Sequence, residues 1–205
     1  MSIEAYYALC AQLGLTQGIP YTPQWSAAPD FLQLIVDHVL TDKPQTIVEC
    51  GSGLTTLMLA RACALNGGGH VYSLENDADY AANTRSEISR YGLNEYSAVL
   101  HAPLIPRTIH ERNYRWYDVS QLSVQDIDML VIDGPPGFIQ QHSRYPALPL
   151  LLEYMKDECT VFMDDAARPD EMEVVAMWQT QYRNTTHTYL ALERGCAIVQ
   201  IRRSR

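Results

Sequence analysis

Residues 46–60 read TIVECGSGLTTLMLA, and this stretch decides the fold. A β-branched run, Thr46–Val48, leads into Gly51 and Gly53, and a run rich in leucine, methionine and alanine follows at once. This order predicts a strand, a tight turn and a helix. Glycines suit such a turn because they adopt unusual dihedral angles and because backbone without a side chain lets a ligand approach. The stretch therefore predicts either a ligand-binding loop or a turn that only closes an ordinary βα unit.

Two common phosphate-binding loops do not match this turn. A P-loop requires a lysine after its second glycine, and no lysine follows Gly53. The dinucleotide fingerprint requires a third glycine, and that position holds Thr56, whose branched side chain would stand where helix and strand pack closely. The surroundings of the two glycines must therefore identify the ligand.

Glu49, two residues before Gly51, is the most informative neighbour of the turn. A carboxylate is badly placed beside a pyrophosphate and well placed beside a cationic ligand. The pattern Glu-x-Gly-x-Gly after a first strand resembles motif I of the class I S-adenosylmethionine-dependent methyltransferases. The resemblance implies that residues 49–53 bind this cofactor, which carries a sulfonium and an ammonium group.

A second acid, Glu75, ends the predicted strand 71–75 and follows Gly51 by 24 residues. Acids at this distance bind ribose in nucleotide-binding α/β folds, because a carboxylate accepts hydrogen bonds from two vicinal hydroxyls. A solvated loop acid followed by the helix cap Asp77 is the alternative. By resemblance, His101 at the end of the third strand lies near the adenine. The predicted cofactor site comprises Glu49, Cys50, Gly51, Ser52, Gly53, Glu75, Asn76, His101 and Asp133.

The composition is that of a globular protein with 205 residues, 47% of them hydrophobic and 19% charged. The net charge of −9 argues against nucleic acid as a partner, because such a partner requires a basic face. The five cysteines lack Cys-x-x-Cys spacing and indicate buried thiols in a reducing compartment. The N-terminus shows no secretory signal, and no stretch approaches the roughly 20 apolar residues of a membrane span. We therefore expect a cytoplasmic protein whose oligomeric state stays open.

The chain is predicted to comprise an N-terminal helical extension, residues 1–43, and an S-adenosylmethionine-binding domain, residues 44–205. Trp25 in the extension either lines the site or anchors the extension. Residues 106–120 form a small hairpin or a lid, and residues 145–156 form a helix. Strands at 185–192 and 196–201 are so close in sequence that they must be antiparallel. This order resembles the Rossmann-like α/β fold of class I methyltransferases, whose seven-stranded sheet is parallel except for its last strand.

Three acids follow the two strands predicted to lie side by side. Asp133 ends strand 128–133, and Asp164 and Asp165 follow strand 159–163. Parallel strands end at the same edge of a sheet, so the three carboxylates should converge, where they repel unless a cation or a shared proton is present. This placement resembles the divalent-metal site of cation-dependent catechol-type O-methyltransferases and implies Mg²⁺ or another divalent cation. The alternative is that Asp164 and Asp165 only cap the helix that begins near Pro169.

The catalytic base is not fixed by this resemblance. Catechol-type enzymes have a lysine shortly after the first of these aspartates, and this chain has Gly134-Pro135-Pro136-Gly137 instead. Asp133, His142 and Arg144 are the catalytic candidates, although His142 and Arg144, each taken alone, are better explained as surface or helix-entry residues. The segments 133–137, 144–151 and 164–171 together resemble a bacterial branch of small class I methyltransferases.

The reaction predicted from these features is O-methylation of a small-molecule or sugar hydroxyl. An N-methyltransferase is the nearest alternative, since such enzymes carry Asp/Asn-Pro-Pro-aromatic after the fourth strand. The sequence Asp133-Gly-Pro-Pro-Gly-Phe138 imitates that motif with residues inserted on both sides of the prolines. A nucleotide-dependent oxidoreductase and a non-catalytic cofactor-binding domain use the same scaffold and remain further alternatives.

Overall fold

The computed structural model describes residues 3–202 and is built around one seven-stranded sheet. Along the sheet the strand order is β3-β2-β1-β6-β7-β9-β8, and β9 runs antiparallel to both of its neighbours. The other neighbouring pairs are parallel. The sheet strands are β1 (Thr46–Cys50), β2 (His70–Glu75), β3 (Ser97–His101), β6 (Ile127–Ile132), β7 (Met155–Asp164), β8 (Thr185–Leu190) and β9 (Cys196–Arg202).

Within the described residues 3–202, two further strands form a separate antiparallel hairpin, and six α-helices pack around the sheet. The hairpin consists of β4 (Leu104–Ile109) and β5 (Arg112–Tyr117). The helices are α1 (Ile3–Leu13), α2 (Pro29–Asp42), α3 (Leu54–Asn66), α4 (Ala78–Arg90), α5 (Ala147–Leu151) and α6 (Pro169–Gln181). None of the helices in residues 3–202 has the length and apolar character to cross a membrane.

The central strands are buried on both faces because their apolar side chains alternate between two cores. In β1, Ile47 belongs to the core formed with α1, α2 and α3, and Val48 belongs to the core formed with α5, α6 and the hairpin. In β6, Met129 and Leu130 divide in the same way. Each such side chain contributes about 1.5–3 kcal/mol by burial. The sheet therefore holds the ends of β1 and β6 rigidly side by side.

Helix α3 is apolar around its whole circumference, and its surroundings explain why. Nine of its 13 residues are buried, from Leu54 to Cys63. It lies between the sheet and α2, and α1 also contacts it. A helix that is hydrophobic all round must be covered on every side. The N-terminal helices supply this cover, so residues 3–42 complete the core over α3.

Several sequence predictions can be compared directly with these elements. The predicted α/β fold with a mostly parallel sheet and an antiparallel last strand is confirmed. Residues 106–120 contain a hairpin, as one of the two alternatives predicted. The predicted helix over 145–156 is confirmed only in part, because α5 is five residues long, a 3-10 turn follows at Leu152–Tyr154 and β7 already begins at Met155. Pro149 lacks the backbone N–H that a helix starting at Tyr145 would bond to the Tyr145 carbonyl.

Candidate active site

The turn after β1 lies at the point where the strand order reverses. In the sheet, β1 lies next to β2 on one side and next to β6 on the other. Gly51 N–H donates to Leu74 O at 2.9 Å, and Asp133 N–H donates to Cys50 O at 3.0 Å. Gly51 and Gly53 have φ angles of 114° and 125°, which side-chain-bearing residues rarely adopt. Open α/β sheets bind ligands at such a crevice.

Glu49 lies beneath this turn and is 1% exposed. Its Oε2 accepts hydrogen bonds from Thr56 Oγ1 at 2.7 Å and from Ser73 Oγ at 2.5 Å. The Gly53 N–H in turn donates to Thr56 Oγ1 at 3.0 Å. Burial raises the pKa of Glu49 to about 7, against the lowering effect of its hydrogen bonds to Ser73 and Thr56. Because the Thr56 hydroxyl bonds both Glu49 and the Gly53 N–H, the Glu49 side chain helps to hold the turn in its conformation.

Glu75 ends β2 on the other side of the turn and is 7% exposed. Its Oε2 accepts from Ser52 Oγ at 2.9 Å, and its Oε1 accepts from the Asp77 N–H at 2.9 Å. Burial raises the pKa of this carboxyl group. His101 is paired with Glu75 in the register of β2 and β3. The structure thus brings residues 49–53, Glu75 and His101 to one edge of the sheet.

The three acids after β6 and β7 also meet, as their strand positions predict. One oxygen each of Asp133, Asp164 and Asp165 lies within 4.8 Å of the others. Asp164 and Asp165 are buried, and Asp133 is half-buried. Asp165 has a φ angle of 58°, an uncommon conformation for a residue with a side chain. Such outliers are retained where the surrounding contacts determine them.

Arg144 is a buried cation among these acids. Its Nη2 lies 2.7 Å from Asp165 Oδ2 and 3.4 Å from Asp133 Oδ1, and its Nη1 donates to Asp164 O at 2.7 Å. Glu171 Oε1 lies 3.7 Å from Arg144 Nε. A guanidinium stays protonated in proteins, so Arg144 neutralises part of the cluster and is unsuited to act as a base.

Asp133, Asp164 and Glu171 near Arg144 have pKa values above those of fully solvated carboxyl groups. Burial and then the nearby Asp164 carboxylate raise the pKa of Asp133 well above its ordinary value, although Arg144 opposes this shift. Burial and then Asp165 raise the pKa of Asp164 to about 6. Burial also raises the pKa of Glu171. The cluster therefore contains groups able to exchange a proton near neutral pH.

A cavity of about 800 Å³ opens beside this cluster. We call it the Arg144 cavity, and the residues of its wall include Trp25, Asp133, Phe138, Arg144, Asp165 and Arg168. Trp25 and Phe138 are 57% and 81% exposed, and their ring centroids lie 6.3 Å apart. Trp25 thus lines a cavity and is largely exposed, which favours the site-lining alternative over a buried anchor.

Residues 48–166, more than half of the chain, match a family described as a methyltransferase domain. The chain belongs to this methyltransferase family. No match was found among curated proteins. The match spans both the turn after β1 and the acids after β6 and β7.

Solved structures similar to this methyltransferase share its fold at low sequence identity. An O-methyltransferase from Bacillus cereus in complex with S-adenosylhomocysteine has a TM-score of 0.69 at 15% identity, over 98% of this chain and 92% of that one. Podospora anserina methyltransferase PaMTH1, bound to S-adenosylhomocysteine, has a TM-score of 0.69 at 13% identity, over 100% and 97%. O-methyltransferase TomG from Streptomyces achromogenes, in complex with S-adenosylmethionine, has a TM-score of 0.67 at 14% identity, over 99% and 91%.

The acid cluster of the methyltransferase fits a divalent metal poorly while Arg144 is in place. The guanidinium already contacts the Asp133 and Asp165 oxygens that would ligate an ion. A second cation at ligand distance, about 2.0–2.6 Å from the same oxygens, would be repelled by it. The metal at Asp133, Asp164 and Asp165 stays a prediction, and we derive no catalytic step through it.

Sequence reasoning placed some residues well and missed others. His142 does not line the Arg144 cavity, because its ring turns to Glu173 on α6, with 2.7 Å between Nε2 and Oε2. Thr56 and Ser73 were missed as partners of Glu49, although a threonine in the first turn of α3 was a usable signal. Tyr117 was also missed. Its hydroxyl lies against the Gly134 backbone at the crevice, and burial raises its pKa.

Proposed function

We propose that this methyltransferase uses S-adenosylmethionine, bound across residues 49–53 with Glu75 at the ribose, and methylates an oxygen of a small molecule in the Arg144 cavity. The proposal rests on the contact between the turn after β1 and the loop after β6. A side-chain carbon at Gly51 would stand 3.8 Å from the Gly134 backbone nitrogen, so the turn after β1 touches the loop that follows Asp133. A cofactor on the first loop therefore reaches the cavity behind the second.

The residues fit the chemical groups of this cofactor. Glu75 offers two carboxylate oxygens to vicinal hydroxyls, and Ser52, whose hydroxyl already bonds Glu75, adds a further polar group. The glycine turn leaves room for backbone contact, and Asn76 and His101 extend the same edge. The cofactor supplies an electrophilic methyl group on a sulfonium. The similar proteins with bound S-adenosylmethionine or its product support this choice.

The residues of the Arg144 cavity then have separate tasks. Methyl transfer needs an aligned acceptor and the removal of its proton, and little covalent help from the protein. Asp133 lines the cavity, and its pKa is raised. Once the Asp133 carboxyl group is ionised, it takes the proton of the acceptor hydroxyl. Arg144 holds Asp133 and Asp165 in place. Trp25 and Phe138 offer apolar surface to the acceptor and exclude water from one side.

Calorimetric titration with S-adenosylhomocysteine tests the cofactor part of the proposal. We expect Glu75→Ala to weaken binding by about 1–3 kcal/mol, because the ribose hydroxyls lose their acceptors. Glu95→Ala is the matched control, since Glu95 is an exposed acid before β3 and away from the crevice. Equal affinities for the wild type and Glu75→Ala would remove Glu75 from the site.

The identity of the acceptor atom is tested with S-adenosylmethionine labelled with ¹³C in its methyl group. After incubation with a small-molecule extract, the carbon resonance of the product distinguishes an O-methyl from an N-methyl group. We expect an O-methyl signal that Asp133→Asn lowers at least 100-fold, the scale of general base catalysis. An N-methyl product, or full turnover by Asp133→Asn, would refute this part.

A further inference from the structure

A second group of ligand-type side chains lies outside the Arg144 cluster, between the loop after β6 and α6. His142 Nε2 lies 2.7 Å from Glu173 Oε2 and 3.8 Å from Asp170 Oδ1. One ligand atom from each residue lies within 4.8 Å of the other two. An imidazole nitrogen with two carboxylate oxygens is a ligand set that zinc and related divalent transition metals accept.

We propose that His142, Asp170 and Glu173 form a binding site for a divalent transition metal ion, with Zn²⁺ as the best match. This site is separate from the one predicted at Asp133, Asp164 and Asp165. It does not depend on the proposed methyl transfer.

Asp170 is already oriented for this task by the backbone. Its Oδ2 accepts the His142 N–H at 2.7 Å, which leaves Oδ1 directed to the same space as the His142 ring nitrogen. Metal-binding carboxylates are commonly held in this way by a hydrogen bond to their second oxygen. The loop and the helix thus contribute one prearranged pair of ligands.

Glu173 supplies the adjustable third ligand. Tetrahedral ligands at about 2.0–2.1 Å from zinc stand roughly 3.3 Å apart. The His142–Asp170 distance of 3.8 Å is close to this value, and the His142–Glu173 distance of 2.7 Å must widen. The Glu173 side chain is 59% exposed, whereas that of His142 is 12% exposed, so Glu173 is free to make this movement.

A cavity of about 630 Å³ gives the ion an open side, and we call it the Tyr114 cavity. His142, Glu173 and Tyr114 all line it. Tyr114 is 5% exposed, and its hydroxyl has no hydrogen-bond partner within residues 3–202. Buried hydroxyls normally have a partner, so the Tyr114 hydroxyl offers a hydrogen bond that a polar ligand in the cavity can accept once the side chain shifts.

The site would connect two walls of the Arg144 cavity. The loop that carries His142 also carries Phe138 and Gln141, and Asp170 is followed by Glu171, all of which line that cavity. An ion that binds only the folded state stabilises it according to its concentration and affinity. A hundredfold excess of ion over its Kd should raise the unfolding temperature by about 5–10 °C.

Titration of the metal-free protein with ZnCl₂ by calorimetry tests the proposal, with visible absorption of the Co²⁺ form as a second readout. We expect one ion per chain, and at least tenfold weaker binding in His142→Gln and Glu173→Gln. Glu173→Gln is the safer variant because its side chain is mostly exposed. Asp133→Asn tests the other cluster and should bind as the wild type does. His38→Gln is the matched histidine control, because within residues 3–202 His38 pairs with a single carboxylate, that of Asp42 at 2.9 Å.

Three results would overturn the proposal. They are no Zn²⁺ binding by the wild type, unchanged affinity in both His142→Gln and Glu173→Gln, and a loss of binding in Asp133→Asn instead. The first would leave His142 and Glu173 as an ordinary hydrogen-bonded pair. The third would transfer the ion to the Arg144 cluster.

Discussion

Glu49 combines complete burial with a carboxyl group, and its pKa ties the stability of the protein to pH. Burial raises this pKa from 4.5 to about 7. The folded state therefore binds the proton more tightly than the unfolded state. The contribution of this proton to stability is fully present below about pH 4.5, and it is lost as the pH rises through about 7.

The variant Glu49→Gln retains the shape of the protonated side chain and cannot ionise. Between pH 5 and pH 8, the free energy of unfolding of the wild type should therefore fall by about 2–3 kcal/mol more than that of the variant. Denaturant unfolding at both pH values measures this difference. Glu95→Gln, an exposed acid, should follow the wild type. A constant gap between the wild type and Glu49→Gln would contradict the raised pKa.

Arg144 is the residue on which the acid cluster depends for charge balance. Its side chain is 3% exposed, and the ion pairs to Asp133, Asp165 and Glu171 converge on it. Arg144→Met leaves buried carboxylates unpaired and should destabilise the protein by about 3–5 kcal/mol at pH 8. The loss should be smaller at pH 5, where Asp164, whose pKa burial and the neighbouring Asp165 raise to about 6, takes up a proton. The measurement is chemical denaturation at both pH values.

Arg168→Met is the control for this experiment. Arg168 also pairs with Asp165, at 2.9 Å, but its side chain is 51% exposed. Exposed ion pairs contribute about 0–1 kcal/mol, so the loss should be small and nearly independent of pH. Equal losses in both arginine variants would mean that burial of the cluster does not matter.

At the scale of elements, the β4–β5 hairpin and the loop after β6 touch at Tyr117 and Gly134. A methyl group at Gly134 would collide with the Tyr117 hydroxyl and approach Cys50 O to 3.4 Å. The Tyr117 hydroxyl and Cys50 O lie at the ends of β1 and β6, where the turn after β1 meets the loop beside the Arg144 cavity. Tyr117 of the hairpin therefore restricts which residue the loop after β6 accepts at position 134.

Gly134→Ala should destabilise the protein by about 1–3 kcal/mol, as overpacking of a close contact does. Adding Tyr117→Phe removes the colliding oxygen, so the double variant should recover part of that loss. Gly137→Ala in the same loop is the control, because its nearest neighbour would stand at 3.9 Å. Thermal unfolding of the variants measures the coupling. Absence of any recovery in the double variant would refute the contact.

The sequence predicted elements best where a local pattern determines them. The glycine turn at Gly51–Gly53, the acids at strand ends and the antiparallel β8–β9 pair all follow from short-range signals. Helix 145–156 was overpredicted, because its apolar residues fit a helix and a buried strand equally well. The position of Arg144 among four acids depends on the packing of β6, β7 and α6, so spacing along the chain could not show it.

At the scale of the whole molecule, the two halves of the sheet contribute different residues to the candidate site. On the β2–β1 side, Glu75 and the turn Gly51–Gly53 lie at the crevice, with Glu49 buried beneath the turn, and on the β6–β7 side Asp133 and Arg144 line the Arg144 cavity. The N-terminal segment contributes Trp25 to the wall of the Arg144 cavity. Sequence patterns identified both halves separately. The position of Trp25 in the cavity wall depends on how residues 3–42 pack over α3.

Thermal unfolding with added ligand tests whether the crevice at the ends of β1, β2 and β6 binds S-adenosylmethionine and its product, as we propose. At a hundredfold excess over Kd, S-adenosylhomocysteine should raise the unfolding temperature by about 5–10 °C. The shift should persist with EDTA, because the Arg144 guanidinium already contacts the Asp133 and Asp165 oxygens, and NAD should give none. A shift with NAD and none with S-adenosylhomocysteine would contradict the account.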